Sequence, residues 1–260
     1  MLEPRVRLAI NTMTVTLARL LAENEPSIYL YGSITAEDFH PGWSDIDLLV
    51  LTANPIRPEQ AEKLVTLRQT LLACDHDTPQ YRLFEGGMLD LRAFLGDEAT
   101  TVVYWGTTGE QIRAHHAFSP FDRASLLQNG QLLWGKDVRR HIEPPTFGDI
   151  HAAIARHLQT IQAHGKGDRS IYAFGWLLDI ARCMYTLVNG KLTTKTAAAQ
   201  WALDEQLCPC PEELSMALMV RRQPEVIRDE VVLDYAENLT EAIQKYALLL
   251  GQALKMHQQG

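Results

Sequence analysis

Two successive prolines, Pro144-Pro145, sit within Glu143-Pro-Pro-Thr-Phe-Gly148 and deny the backbone both a helix interior and a central strand. The 260-residue chain changes character across them. Upstream, compact β-rich runs such as Ser27–Tyr31 and Asp45–Thr52 alternate with helical stretches at about Arg5–Asn24 and Pro58–Leu72. Tyr81–Phe84 and Met88–Leu95 read as a further strand pair, or as one long strand interrupted at Gly86-Gly87. Residues 97–118 carry no clear pattern. Downstream, Asp149–His164, Asp168–Asn189, Thr193–Gln206, Pro211–Arg222 and Ile227–Met256 all show helical periodicity, with capping Asp or Thr residues and a terminal Asn189-Gly190. The expectation is an α+β chain, with a mixed sheet and flanking helices over residues 1–145 and an α-helical bundle over 146–260.

Composition narrows the partners. A net charge of −8 repels a phosphate backbone and argues against nucleic acid, while it favours a small cationic molecule. No stretch approaches the roughly 20 apolar residues of a membrane span. The amphipathic start lacks a cleavable signal pattern, so a cytoplasmic protein with no membrane partner, a monomer or weak dimer, is expected. Cys74, Cys183, Cys208 and Cys210 are too scattered for a disulfide framework, and Cys208-Pro-Cys210 has the wrong spacing for zinc.

The chemistry concentrates in YLYGSITAEDFHPGWSDIDLLVLT, from Tyr29 to Thr52. Asp45 and Asp47 are two apart on a strand, so both point to one face while Ile46 points to the other. Two like charges that close need a cation between them, and hard oxygen donors on a rigid strand suit Mg²⁺, which shares its sphere with substrate phosphates. Gly32-Ser33 ends the preceding strand where backbone and hydroxyl can approach a phosphate, and Ser44 offers a further donor.

A Gly-Ser turn, a loop of about ten residues and then S-D-I-D before Leu48-Leu49-Val50 resembles the signature of the nucleotidyltransferase superfamily related to DNA polymerase β. That resemblance implies that Asp45 and Asp47 bind the metals, two Mg²⁺ ions, that carry a nucleoside triphosphate. It also implies a third carboxylate on a neighbouring strand. Asp90, within Met88-Leu-Asp-Leu-Arg-Ala-Phe94, is preferred there as metal ligand and general base, with a salt bridge to Arg92 as its structural alternative. Glu85, five residues earlier with the opposite strand parity and beside Gly86-Gly87, is the competitor.

LLDIARCMYTLVNGKLTTKTAAAQWAL, Leu177 to Leu203, resembles the helical domain of the aminoglycoside adenylyltransferases that modify streptomycin and spectinomycin, the 3″/9 type. LLWGKDVRRHIEPP resembles the piece that joins the two domains in that family. The resemblance implies ATP as co-substrate, transfer of AMP to a hydroxyl of a small cationic antibiotic, pyrophosphate release, antibiotic resistance, and a site in a cleft between domains. Ser33 and Ser44 match its nucleotide positions, Gly32 belongs to the same turn as a nucleotide contact, and Asp122 falls near a further nucleotide contact. Arg182 and Lys195, thirteen apart, would place positive charge on the triphosphate. Their alternatives are an Arg182 pair with Asp179 or Glu205, and a solvated Lys195. Trp105 and Tyr172 fall near the drug-binding positions, with a core tryptophan the default alternative for Trp105. Another acceptor, or a nucleotide-binding protein without catalysis, are the competing readings.

Overall fold

The computed structural model describes residues 2–96, 98–106 and 109–257. Two compact units emerge: Met1–Glu37, Asp45–Phe118 and Ser125–Pro144 form the first, and Asp38–Ser44, Ser119–Ala124 and Pro145–Gly260 the second. A seven-residue segment ahead of Asp45 thus packs with the helices that follow the prolines.

The first unit is built on a six-stranded mixed sheet. Its strands are β1 (Ser27–Tyr31), β2 (Ile46–Thr52), β3 (Phe84–Asp90), β4 (Val102–Gly106), β5 (Gly109–Arg113) and β6 (Gln131–Trp134), in the order β5-β4-β3-β2-β1-β6. β2 and β3 pair in parallel, and the other neighbours pair antiparallel. The parallel pair needs a crossover, which α2 (Pro58–Cys74) supplies. Helix α1 (Pro4–Leu20) precedes β1, and α3 (Leu91–Gly96) and α4 (Pro120–Asn129) follow β3 and β5. Tyr29, Tyr31, Leu49, Leu51 and Leu89 form an apolar core with Phe118, Leu126 and Ile142.

Three expectations change here. Gly86-Gly87 does not interrupt a strand, because β3 runs straight through both. A Cβ on Gly86, whose φ is +140°, would lie 1.8 Å from the Leu48 carbonyl oxygen, so only glycine permits this approach of β3 to β2. Tyr81 lies in a short 3₁₀ turn, and Leu91–Gly96 is helical because Asp90 caps it. The unassigned stretch 97–118 holds β4 and β5, with residues 97, 107 and 108 outside the described part.

The second unit contains α5 (Phe147–His164), α6 (Ile171–Asn189), α7 (Lys195–Asp204), α8 (Pro211–Arg222), α9 (Glu230–Glu237) and α10 (Thr240–Met256). Thr146 and Asp149 form a reciprocal cap at the start of α5, which sets that boundary directly after the prolines. Gly190 at φ +62° closes α6. The long helix expected over Ile227–Met256 is broken at Asn238-Leu239, where the Asn238 side-chain amide bonds back to the Asp234 carbonyl oxygen. Helix α6 is the most apolar, and Phe174, Leu177, Leu178, Ile180 and Ala181 bury it against Ile154, Leu214, Ile243 and Leu250. Its length and composition match those of a membrane-crossing helix, but these buried contacts mark it as the core helix of the bundle.

Candidate active site

Strand β2 sets the carboxylates. Alternation sends Ile46, Leu48 and Val50 to one face and Asp47, Leu49 and Leu51 to the other, with Asp45 two residues before Asp47. Asp47 is the register partner of Tyr31 on β1 and of Glu85 on β3. Parallel pairing therefore brings Asp47 and Glu85 side by side on the same face, near the starts of their strands and beyond the apolar patch of Leu49, Leu51 and Leu89.

Gly32 makes room for this arrangement. It has φ +75°, and a Cβ there would lie 1.9 Å from Asp47 Oδ2, so the carboxylate lies directly against the turn backbone. The Gly32 amide donates to Ser125 Oγ at 3.2 Å, and Ser33 follows in the same single turn, Gly32–Ile34. Glu85 is framed from the opposite strand: Tyr104 Oη donates to its Oε1 at 3.4 Å, and a Cβ on Gly106 would meet that oxygen at 3.3 Å. Asp45 and Glu85 line a cleft of about 430 Å³ with Arg68, Arg82 and Glu110. Arg68 donates to the Phe84 carbonyl at 2.7 Å and pairs with Glu110 at 2.7 Å, which pins the residue before Glu85.

Asp90 is not part of this group. Its register partner is Thr52, an odd number of residues from Asp47, so it projects from the opposite face at the far end of the strand. Both its oxygens serve the fold: Oδ1 accepts from the Ala93 amide at 3.0 Å, capping α3, and Oδ2 accepts from Thr100 Oγ1 at 2.6 Å. The preference for Asp90 as third carboxylate is thus corrected. The reading failed on parity, since Glu85 and Asp47 pair directly, and only the strand register shows that. Trp105 takes the core alternative rather than the drug contact, being fully buried with its indole N–H donating to the Leu64 carbonyl at 3.0 Å.

The remaining candidates lie in the second unit. Helix α6 presents Asp179 and Arg182 one turn apart, and Lys195 opens α7 behind the Thr194 cap. One oxygen, Asp179 Oδ1, takes both Lys195 Nζ at 3.0 Å and Arg182 Nη2 at 3.3 Å. Burial alone would raise the Asp179 pKa, but Lys195, Arg182 and His157 together hold it below the ordinary carboxylate value. The Arg182 guanidinium also lies 5.3 Å from the Phe121 ring centre. Ser44 is buried and accepts from the His40 amide at 3.1 Å. Asp122 accepts from Ser119 Oγ at 2.6 Å in a cap at the start of α4. Tyr172 is 64% exposed in the first turn of α6.

A nucleotidyltransferase domain model matches residues 17–76, and the C-terminal domain model of the aminoglycoside adenylyltransferases matches residues 146–245. The chain is 24% identical over 244 residues to the spectinomycin 9-adenylyltransferase of Campylobacter jejuni, covering 88% of this chain and 86% of that protein. Its fold superposes on the crystal structure of the spectinomycin adenyltransferase AAD(9) from Enterococcus faecialis with ATP and spectinomycin. That match has a TM-score of 0.67 at 16% identity, over 96% of this chain and 99% of the other. Sheet, motif and domain model together define an enzyme of the nucleotidyltransferase class. Within that class, the helical half, residues 146–245, matches the C-terminal domain of the aminoglycoside adenylyltransferases, the family this chain is similar to.

Proposed function

We propose that this enzyme transfers AMP from ATP to a hydroxyl of an aminocyclitol antibiotic, with spectinomycin the leading acceptor and streptomycin the second, and releases pyrophosphate. The observation that carries the reading is the placement of Asp47 beside Glu85 on one sheet face, with Asp45 and Glu85 lining one cleft. The spectinomycin relatives favour that acceptor. The acidic net charge favours a cationic one.

Asp45 and Asp47 would hold Mg²⁺. The donor set fits, being hard carboxylate oxygens against a turn that glycine keeps open. Mg²⁺ is commonly held by one or two carboxylates together with substrate phosphates, which is the arrangement this reading gives Asp45 and Asp47. When bound there, Mg²⁺ would offset the charge of the triphosphate and of the departing pyrophosphate.

Glu85 is the general base in this reading. The acceptor hydroxyl oxygen forms a bond to the α-phosphorus as the bond to the bridging β-phosphate oxygen breaks, and the hydroxyl proton passes to the Glu85 carboxylate. Tyr104 orients Glu85, and Arg68 fixes the strand before it. On the sheet unit this reading gives the Gly32 turn and Ser33 the role of bringing backbone and hydroxyl to phosphate, and on the helical unit it keeps Arg182 and Lys195 as the cations for a triphosphate. The displacement of Asp90 therefore does not leave the reaction without a base. Purified protein with ATP and Mg²⁺ should release pyrophosphate on addition of spectinomycin. Absence of release across spectinomycin, streptomycin and other aminoglycosides refutes the acceptor, while release with another hydroxyl compound reassigns it.

A further inference from the structure

Arg221 of α8 is 3% exposed. Its Nη2 donates to Asp38 Oδ2 at 2.6 Å and to the Asp38 carbonyl at 3.0 Å, and its Nε donates to Thr196 Oγ1 at 3.1 Å. The guanidinium lies 5.6 Å from the ring centre of Trp43. His40 Nε2 stands 3.2 Å from Asp38 Oδ1 and 3.4 Å from Thr196 Oγ1. A buried Arg–Asp pair yields little net stability compared with apolar packing of the same volume. Its distinctive effect is directional, because a planar fork with fixed donors orients whatever it bonds. What it bonds is the first turn of α7, one residue from Lys195, together with the segment that ends at Ser44.

We propose that Asp38 and Arg221 are positioning residues for nucleotide binding, acting through Thr196 to fix the first turn of α7 so that Lys195 is held at Asp179 ready for the triphosphate. This rests on the reading that Lys195 meets the triphosphate. A helix N-terminus otherwise frays easily, and a lysine there carries a long side chain with much rotamer freedom to lose on binding. Clamping Thr196 from α8 removes the backbone part of that freedom before the nucleotide arrives.

The test uses the full-length protein and ATP with Mg²⁺. Thr196→Val keeps shape and the Thr194 cap but removes the hydroxyl that Arg221 and His40 reach. The double variant Asp38→Leu with Arg221→Met replaces the pair by apolar groups. Equilibrium ATP affinity by calorimetry, KM for ATP and for the acceptor, kcat and thermal midpoint are measured for each and for Lys195→Ala. Thr196→Val is expected to weaken ATP binding roughly tenfold, and the double variant more, with acceptor KM near wild type and a thermal midpoint lowered in Thr196→Val because the buried Arg221 Nε loses its acceptor. On the Lys195→Ala background, Thr196→Val should add almost nothing, since both act through one ammonium. Wild-type ATP affinity in Thr196→Val, or its full effect recurring on Lys195→Ala, overturns the proposal. If Lys195→Ala itself binds ATP like wild type, the triphosphate reading of Lys195 fails instead. Should the double variant not fold, Thr196→Val alone decides.

Discussion

Asp47 and Glu85 are register partners across the parallel β2–β3 pair, whereas Asp90, on the same strand as Glu85, stands opposite Thr52 and faces the other way. The two carboxylates of β3 should therefore separate cleanly in mutation. Glu85→Gln is expected to cut kcat by roughly 10²–10⁴-fold with little change in stability, as for loss of a general base. Asp90→Asn should instead cost about 1–2 kcal/mol of stability by weakening the α3 cap and the Thr100 bond, with kcat nearly intact. Full activity in Glu85→Gln measured by pyrophosphate release, with loss in Asp90→Asn at unchanged thermal midpoint, would restore the opposite assignment.

Gly32 offers a second test of the same face. Alanine there must accept a left-handed φ of +75° and place its methyl 1.9 Å from Asp47 Oδ2, which forces the carboxylate to move. Gly32→Ala is expected to cost about 1–3 kcal/mol in backbone strain and to weaken Mg²⁺-dependent ATP binding well beyond that global effect. Calorimetry with and without Mg²⁺ reads it. Equal affinity in both conditions, matching wild type, would show that the Asp47 carboxylate has no part in nucleotide binding.

Much of this fold could be read before any coordinates. The proline break, the helical periodicity after it and the S-D-I-D strand each come from local chemistry, and each element type recurs in the structure. The misreadings share one physical origin, which is that long-range pairing is invisible in a single chain. Gly86-Gly87 signalled a break because glycine usually weakens a strand, yet here it admits the Leu48 carbonyl. In sequence Glu85 differs in parity from Asp90, but the parity that matters is relative to Asp47 and passes through the register of a parallel pair. Sequence offers Arg182 a phosphate contact or a pair with Asp179 or Glu205, and Lys195 a phosphate contact or a solvated position. Their shared Asp179 oxygen was half visible as the spacing of Asp179 and Arg182, while the Lys195 contact depends on how α7 packs on α6.

Trp105 extends that lesson to the acceptor side. Its burial and its bond to the Leu64 carbonyl assign it to the sheet–α2 interface. Trp105→Phe should lower stability by about 1–3 kcal/mol through the lost hydrogen bond and volume. Acceptor KM should stay within about twofold of wild type, since a buried core side chain has no ligand to release. A large rise in acceptor KM with an unchanged melting curve would return Trp105 to the drug site.

Acid titration probes the charge cluster of the helical unit. Burial lowers the His157 pKa, Asp179 resists that shift, and Arg182 and Lys195 reinforce it. Its folded value lies below the ordinary 6.5, so the unfolded chain binds the proton more readily, and stability falls as pH drops from about 6.5 towards the folded value. Asp38 and Asp179 act at lower pH. Burial pushes both carboxyls up, but Arg221 with Thr196 at Asp38, and Lys195 with Arg182 at Asp179, outweigh it and hold both below the ordinary 3.8. Their contribution is fully present above that value and is lost as pH falls beneath it towards the folded values. Denaturant midpoints against pH should thus show one decline beginning near 6.5 and a second below about 3.8. Asp179→Asn should deepen the first decline, because His157 loses the one charge that favours its protonated form, and shrink the second. Proton NMR of the His157 ring should show its pKa moving further down in that variant. An upward or absent shift would mean that His157 and Asp179 do not sense each other.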